Sequence, residues 1–230
     1  MVRYQKRQKQ LIEEIELSFK ENRGHSEIVD MVDDYATDNR ICLTVVSFIS
    51  PALHGTIKQK LIQPLRECDP SLYYYLSKSL HVTIQNVRTI HNPPAFSQRD
   101  IKIMKEVLQK VALRHNPFEF YFQGLFELPT SLSIPAYSEE ILSDLILDIR
   151  EEMNKHNITD NKKYHNTEVM FGNVTISRFP AKPNKDFFQK VQKLKKMDIG
   201  KTTVKEICLI STNAVCHPSK TTIHGTYRLQ

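Results

Sequence analysis

The feature that most constrains this chain is an internal duplication. His81-Val82-Thr83-Ile84 and Asn173-Val174-Thr175-Ile176 carry the same Val-Thr-Ile in the same frame, 92 residues apart. Each copy lies in a run of period two, the pattern of a half-buried strand. In the first run Leu80, Val82 and Ile84 fall on one face, and His81, Thr83 and Gln85 on the other. In each copy the first and third residues share a face and the aliphatics point into a core. Helices are expected before and after both strands. Repetition of residues and of element order predicts an α+β fold of two pseudo-symmetric lobes, each an antiparallel sheet backed by helices, around a central cleft.

The remaining elements follow from periodicity. Residues 3–21 read as a helix with an imperfect apolar face of Leu11, Ile12, Ile15, Leu17 and Phe19, and a short helix is expected around Ser26–Tyr35. Residues 1–38 are therefore expected to be a helical extension, a docking helix or an N-terminal cap, on a two-lobed domain of residues 39–230. Ile41–Ile49 reads as a buried strand. Helices are expected at 56–67, where Pro64 would end or kink the run, at 98–114, at 138–155 with Ser138 as its cap, and at 184–197. Further strands are expected at 117–127, 131–136, 168–178, 204–213 and 221–229.

Composition narrows the class. The chain has 230 residues, 40% hydrophobic and 25% charged, as an ordinary globular protein does. No apolar run approaches the ~18 residues of a membrane span, and the basic N-terminus leads into an amphipathic stretch instead of a signal sequence. The net charge of +6 favours an anionic partner. Cys42, Cys68, Cys208 and Cys216 have no metal-ligand spacing and read as reduced thiols of a cytoplasmic protein. A monomer without membrane contact is expected.

The two tetrapeptides resemble the paired His-x-Thr/Ser-x motifs of the 2H phosphoesterase superfamily, which includes LigT-type 2′-5′ RNA ligases and RNA 2′,3′-cyclic phosphodiesterases. His81-Val82-Thr83-Ile84 matches the first motif in full. In the second, Asn173 stands where the family has histidine, while Thr175 matches and Arg178 follows where some relatives have a basic residue. The resemblance covers residues 41–229. It implies a metal-independent phosphodiesterase, without cofactor, acting on RNA 2′,3′-cyclic phosphate ends or on small cyclic or 2′-5′-linked nucleotides.

In such a site one imidazole withdraws a proton and the other delivers one, since a pKa of ~6.5 suits both tasks. The hydroxyls of Thr83 and Thr175 would donate to the non-bridging phosphate oxygens. Asn173 can donate or accept a hydrogen bond but cannot titrate near neutrality. Three outcomes stay open: a slow enzyme using His81 alone, substitution by a neighbour such as His165 or Tyr164, or an RNA- or nucleotide-binding protein without turnover. Catalytic candidates are thus His81, Thr83, Asn173 and Thr175, with Arg178 as a phosphate contact. Tyr75, in the Tyr73-Tyr74-Tyr75 run, is a candidate to stack on a base, beside the plainer reading of lobe-interface packing. The Lys-rich helix expected over 185–201 offers a basic face that is more simply solvated. Gly200-Lys201-Thr202 fails as a phosphate loop, because Lys195 replaces its first glycine.

Overall fold

The computed structural model describes residues 3–21, 31–158 and 169–230. Among the described residues, ten strands form two antiparallel sheets. The first is four-stranded, in the order β10 (Thr222–Arg228), β9 (Glu206–Thr212), β1 (Ile41–Phe48), β3 (His81–His91). The second runs β2 (Tyr73–Tyr74), β7 (Gly172–Arg178), β6 (Ser131–Tyr137), β4 (Phe118–Gln123), β8 (Asp198–Val204), with β5 (Phe126–Leu128) paired to β6. The expected α+β architecture of two sheets with helices is therefore present. One motif strand lies in each sheet: β3 holds His81 and Thr83, and β7 holds Asn173 and Thr175.

The helices cross between the halves of the chain. Helix α2 (Pro51–Ile57) passes through a π-turn at Lys58–Ile62 into α3 (Gln63–Cys68). This run comes from the first half but packs against β8 and against α6 (Lys185–Leu194) of the second sheet. Helix α5 (Ile141–Lys155) comes from the second half, yet packs with α4 (Gln98–Ala112) on the first sheet. Each lobe thus owes part of its core to the other half, and one apolar cluster spans both sheets. The π-turn also explains why Pro64 does not end the helix. Gln63 bonds back to Lys58 in a widened turn just where the proline lacks a donor.

Helix α1 (Arg3–Lys20) lies on the second sheet. Tyr4, Leu11, Ile12 and Ile15 are buried, whereas Leu17, expected on the apolar face, is exposed. Gln8 is fully buried, its amide nitrogen donating to the Met170 carbonyl at 2.6 Å and its oxygen accepting from the Ser138 amide at 3.1 Å. Ser138 is therefore taken by α1 and does not cap α5, which begins after Glu140 with no side-chain cap.

Three other expectations are corrected. The strand expected over 117–127 is split at Gly124, whose φ is +82° and where a Cβ would lie 2.6 Å from the Lys195 carbonyl oxygen. The Lys-rich helix ends at Leu194, because 198–204 pairs with β4 as β8; Lys201 and Gly200 are strand residues. Part of the helix expected around Ser26–Tyr35 lies outside the described residues, and Met31–Tyr35 is not helical. Instead the Asp34 carboxylate accepts from the Ala36 amide at 2.8 Å in a turn.

Candidate active site

The two motif strands touch where the two sheets meet. A Cβ placed on Gly172 would sit 2.6 Å from Cγ1 of Val82, so the centre of the first motif rests directly on the backbone that opens the second. On β3, Phe48 of β1 lies opposite His81 and Val46 opposite Thr83, so all four share one face. On β7, Ser133 of β6 lies opposite Thr175 and Pro135 opposite Asn173.

Both strands then break their alternation at the same place. Val46 pairs with Thr83 but Val45 pairs with Gln85, so Ile84 is an extra residue. Ser133 pairs with Thr175 but Leu132 pairs with Ser177, so Ile176 is an extra residue. A β-bulge turns the residues beyond it to the opposite faces from those strict alternation assigns. Gln85, expected beside His81 and Thr83, is turned instead to the helix side, where its oxygen accepts from Arg150 of α5 at 2.8 Å. Arg178, which simple alternation would point away from Asn173 and Thr175, is brought opposite Ser131 on their face.

The side chains on the β7 face are tied together. Arg178 donates through Nε to the Tyr75 hydroxyl at 3.1 Å and through Nη2 to the Ala214 carbonyl at 3.1 Å. Tyr75 donates to the same carbonyl at 3.1 Å. The Asn173 amide donates to Ser133 Oγ at 3.3 Å, and Ser133 donates to Thr175 at 3.2 Å. Among the described residues no carboxylate pairs with Arg178. Burial alone would pull its pKa down, but Tyr75 and Tyr35 hold it net upward, so it stays charged. Tyr75 is buried, so it serves as a strut for Arg178 and not as an exposed stacking platform.

His81 is half-buried, with Nδ1 donating to the Ser79 carbonyl at 2.7 Å. That fixes the ring and leaves Nε2 as the nitrogen that meets the cleft. The Phe48 ring stands edge-on at 6.4 Å. Burial lowers the His81 pKa, but the neighbouring Cys216, in the turn after β9, and the Ser79 carbonyl overcome it, and the net movement is upward. Thr83 is exposed on the same face.

Sequence reasoning missed Cys216, Ser133, Tyr35 and the Ala214 carbonyl. Tyr35 is buried edge-on to Tyr73 at 4.6 Å, and its carbonyl accepts from Asn213 at 2.7 Å. Residues 34–39 are thereby strapped to the loop that carries Ala214 and Cys216. No local pattern signals these contacts; they arise only when β9 returns to pair beside β1. His165 and Tyr164 lie outside the described residues. Among the described residues no group of three metal ligands occurs, and no helix is long and apolar enough to cross a membrane.

Helix α1 bounds the site on the β7 side. Tyr137 and Phe171 continue the alternation of Pro135 and Asn173, and both join Ile12 in one apolar cluster. The helix therefore covers the face of the second sheet just beyond the motif.

No family model and no curated protein matches the sequence. Solved structures match in fold. The protein TT0787 of Thermus thermophilus superposes with a TM-score of 0.60 at 14% identity, over 82% of this chain and 97% of that one. A phosphoesterase matches with a TM-score of 0.59 at 10% identity, over 82% and 98%. LigT of E. coli, solved with 3′-AMP, matches with a TM-score of 0.52 at 12% identity, over 84% and 99%. The chain has the LigT-like fold that the paired tetrapeptides led one to expect.

Proposed function

We propose that the cleft between β3 and β7 binds a phosphodiester and that His81 promotes its hydrolysis, the substrates being RNA 2′,3′-cyclic phosphate ends or small cyclic or 2′-5′-linked nucleotides. What supports this reading is that β3, the strand of His81 and Thr83, touches β7, the strand of Asn173 and Thr175, and that among the described residues no carboxylate pairs with Arg178 on the Thr175 face of β7. A half-buried cation without a carboxylate is a ready partner for a phosphate. Thr83 and Thr175 would donate to the non-bridging oxygens, Arg178 would balance their charge, and Nε2 of His81 would exchange the proton. The coverage of the β7 face by α1 favours a chain end or a small nucleotide over the interior of a long strand. The 3′-AMP bound by LigT is a ligand of the same kind. In this reading residues 39–230 are the working two-lobed unit, and the protein acts as a cytoplasmic monomer that needs no metal.

Turnover of a panel of nucleoside 2′,3′-cyclic phosphates and 2′-5′ oligonucleotides tests the proposal. His81→Ala should abolish it, and full activity in that variant would remove the proposal. A second reading, binding without turnover, is favoured by the Asn173 amide being engaged with Ser133 in the place of a titrating group. Under it Asn173→His gains activity, by the ~10²–10⁴ that a positioned acid or base supplies. Turnover by the unmodified protein at ordinary enzyme rates would exclude this second reading.

A further inference from the structure

Asn173 supplies no titrating group, yet its side chain starts a row of hydrogen bonds that ends on Thr175. Ser133 is the middle of the row. It lies in β6 opposite Phe126 of β5 on one side and Thr175 of β7 on the other, and it is fully buried. Its hydroxyl accepts from Nδ2 of Asn173 at 3.3 Å and donates to Oγ1 of Thr175 at 3.2 Å. A serine hydroxyl has one hydrogen, and an amide nitrogen only donates. Thr175 therefore receives at Ser133 and must send its own hydrogen elsewhere. Thr175 is half-buried, on the face that also holds Asn173 and Arg178.

We propose that Ser133 is a positioning residue: it fixes Thr175 as a donor, so that the Thr175 hydroxyl aims its hydrogen at a non-bridging oxygen of the bound phosphoryl group. Asn173 sets the direction. An imidazole nitrogen in its place would donate or accept according to tautomer and charge, whereas the asparagine amide nitrogen donates at every pH. Asparagine thus gives up proton transfer and keeps a permanent donor at the head of the row. Each bond polarises the next, which strengthens the last donor when an anion accepts from it. Bonds of this length in a catalytic cleft tighten once a ligand completes them. Ser133 is buried between two neighbouring strands, so the row is held by the sheet itself.

The inference rests on the phosphate-binding reading given above, and its test separates the two. Calorimetry gives the dissociation constant of a nucleoside 2′-monophosphate for the full chain, for Ser133→Ala, for Thr175→Val and for the double variant. Ser133→Ala should weaken binding about fivefold when Thr175 is present. In the Thr175→Val background the same change should leave binding unaltered, because Ser133 acts only through that hydroxyl. An equal loss in both backgrounds, the mark of a disturbed strand, would overturn the proposal, as would no loss in the first. A second readout needs neither variant nor ligand: neutron diffraction from crystals of the deuterated full chain. The Ser133 deuteron should lie toward Thr175, with the deuterated nitrogen of Asn173 facing Ser133. A Ser133 deuteron aimed at Asn173 would overturn the proposal. Failure to bind any nucleotide would remove the phosphate reading, whereas the deuteron positions decide the direction of the row by themselves.

Discussion

Ile84 and Ile176 are the extra residues of two β-bulges that stand at the same place in the two copies of the motif. Each follows its threonine directly, and each reverses the faces beyond it. The duplication is thus one of backbone geometry as well as of residue types. The bulge in β7 has a chemical consequence, since it delivers Arg178 to the face of Asn173 and Thr175. The equivalent position on β3 is Asn86, paired with Thr44. The two halves of the cleft therefore differ in charge as well as in the His81–Asn173 exchange.

The contact between the motif strands is tight enough to test with one methyl group. In Gly172→Ala the new Cβ would meet Val82 at 2.6 Å, Phe120 at 3.1 Å and the Ala136 side chain at 3.2 Å. All three belong to the packed core, so the strands must part. A loss of about 1–3 kcal/mol is expected by chemical denaturation, with weaker nucleotide binding. A variant as stable as the parent would show that β3 and β7 are not pressed together here.

Arg178 is expected to dominate phosphate affinity. Arg178→Met removes the charge and the bonds to Tyr75 and Ala214, and should weaken binding of a nucleoside monophosphate by about 2 kcal/mol, roughly thirtyfold. Tyr75→Phe, which keeps the charge but loses the strut, should cost less. Calorimetric titration of the three proteins gives the ranking; equal affinities would place the anion elsewhere.

Asp69 couples acid to stability. Its carboxylate accepts from the Ser71 hydroxyl at 2.6 Å and the Asn184 amide at 2.9 Å, joining the end of α3 to the start of α6. Burial raises its pKa, but these bonds, with the Ser71 amide, win and bring it net below the ordinary 3.8. A depressed folded-state pKa contributes stability above the unfolded value, which is lost as pH falls through the folded one. Unfolding midpoints should therefore drop as pH is lowered past 3.8. Asp69→Asn should be less stable at pH 7 and should show a shallower acid decline; an unchanged decline would assign the effect to other carboxylates.

The sequence showed its elements where periodicity was local and strong. The motif strands, α4, α5 and β1 lie close to where their patterns put them. What it hid were events that depend on distant partners. Strict alternation cannot reveal the bulges at Ile84 and Ile176, so Gln85 was assigned to the wrong face and the placement of Arg178 had no visible cause. Ser138 has the form of a helix cap, but Gln8 of α1 claims its backbone. Lys201 continues a lysine run, yet pairing with β4 makes it part of a strand. Cys216 read only as one of four reduced thiols, because its packing against Val46 and Phe48 is made by the return of β9 to the first sheet.

The central claim is that one phosphoryl group is held from both strands at once. It is tested most directly by titrating a nucleoside 2′-monophosphate into the labelled full chain and following Thr83 and Thr175. Both signals should move together and fit one dissociation constant. Movement of only one threonine, or of neither while the ligand binds elsewhere, would contradict the account.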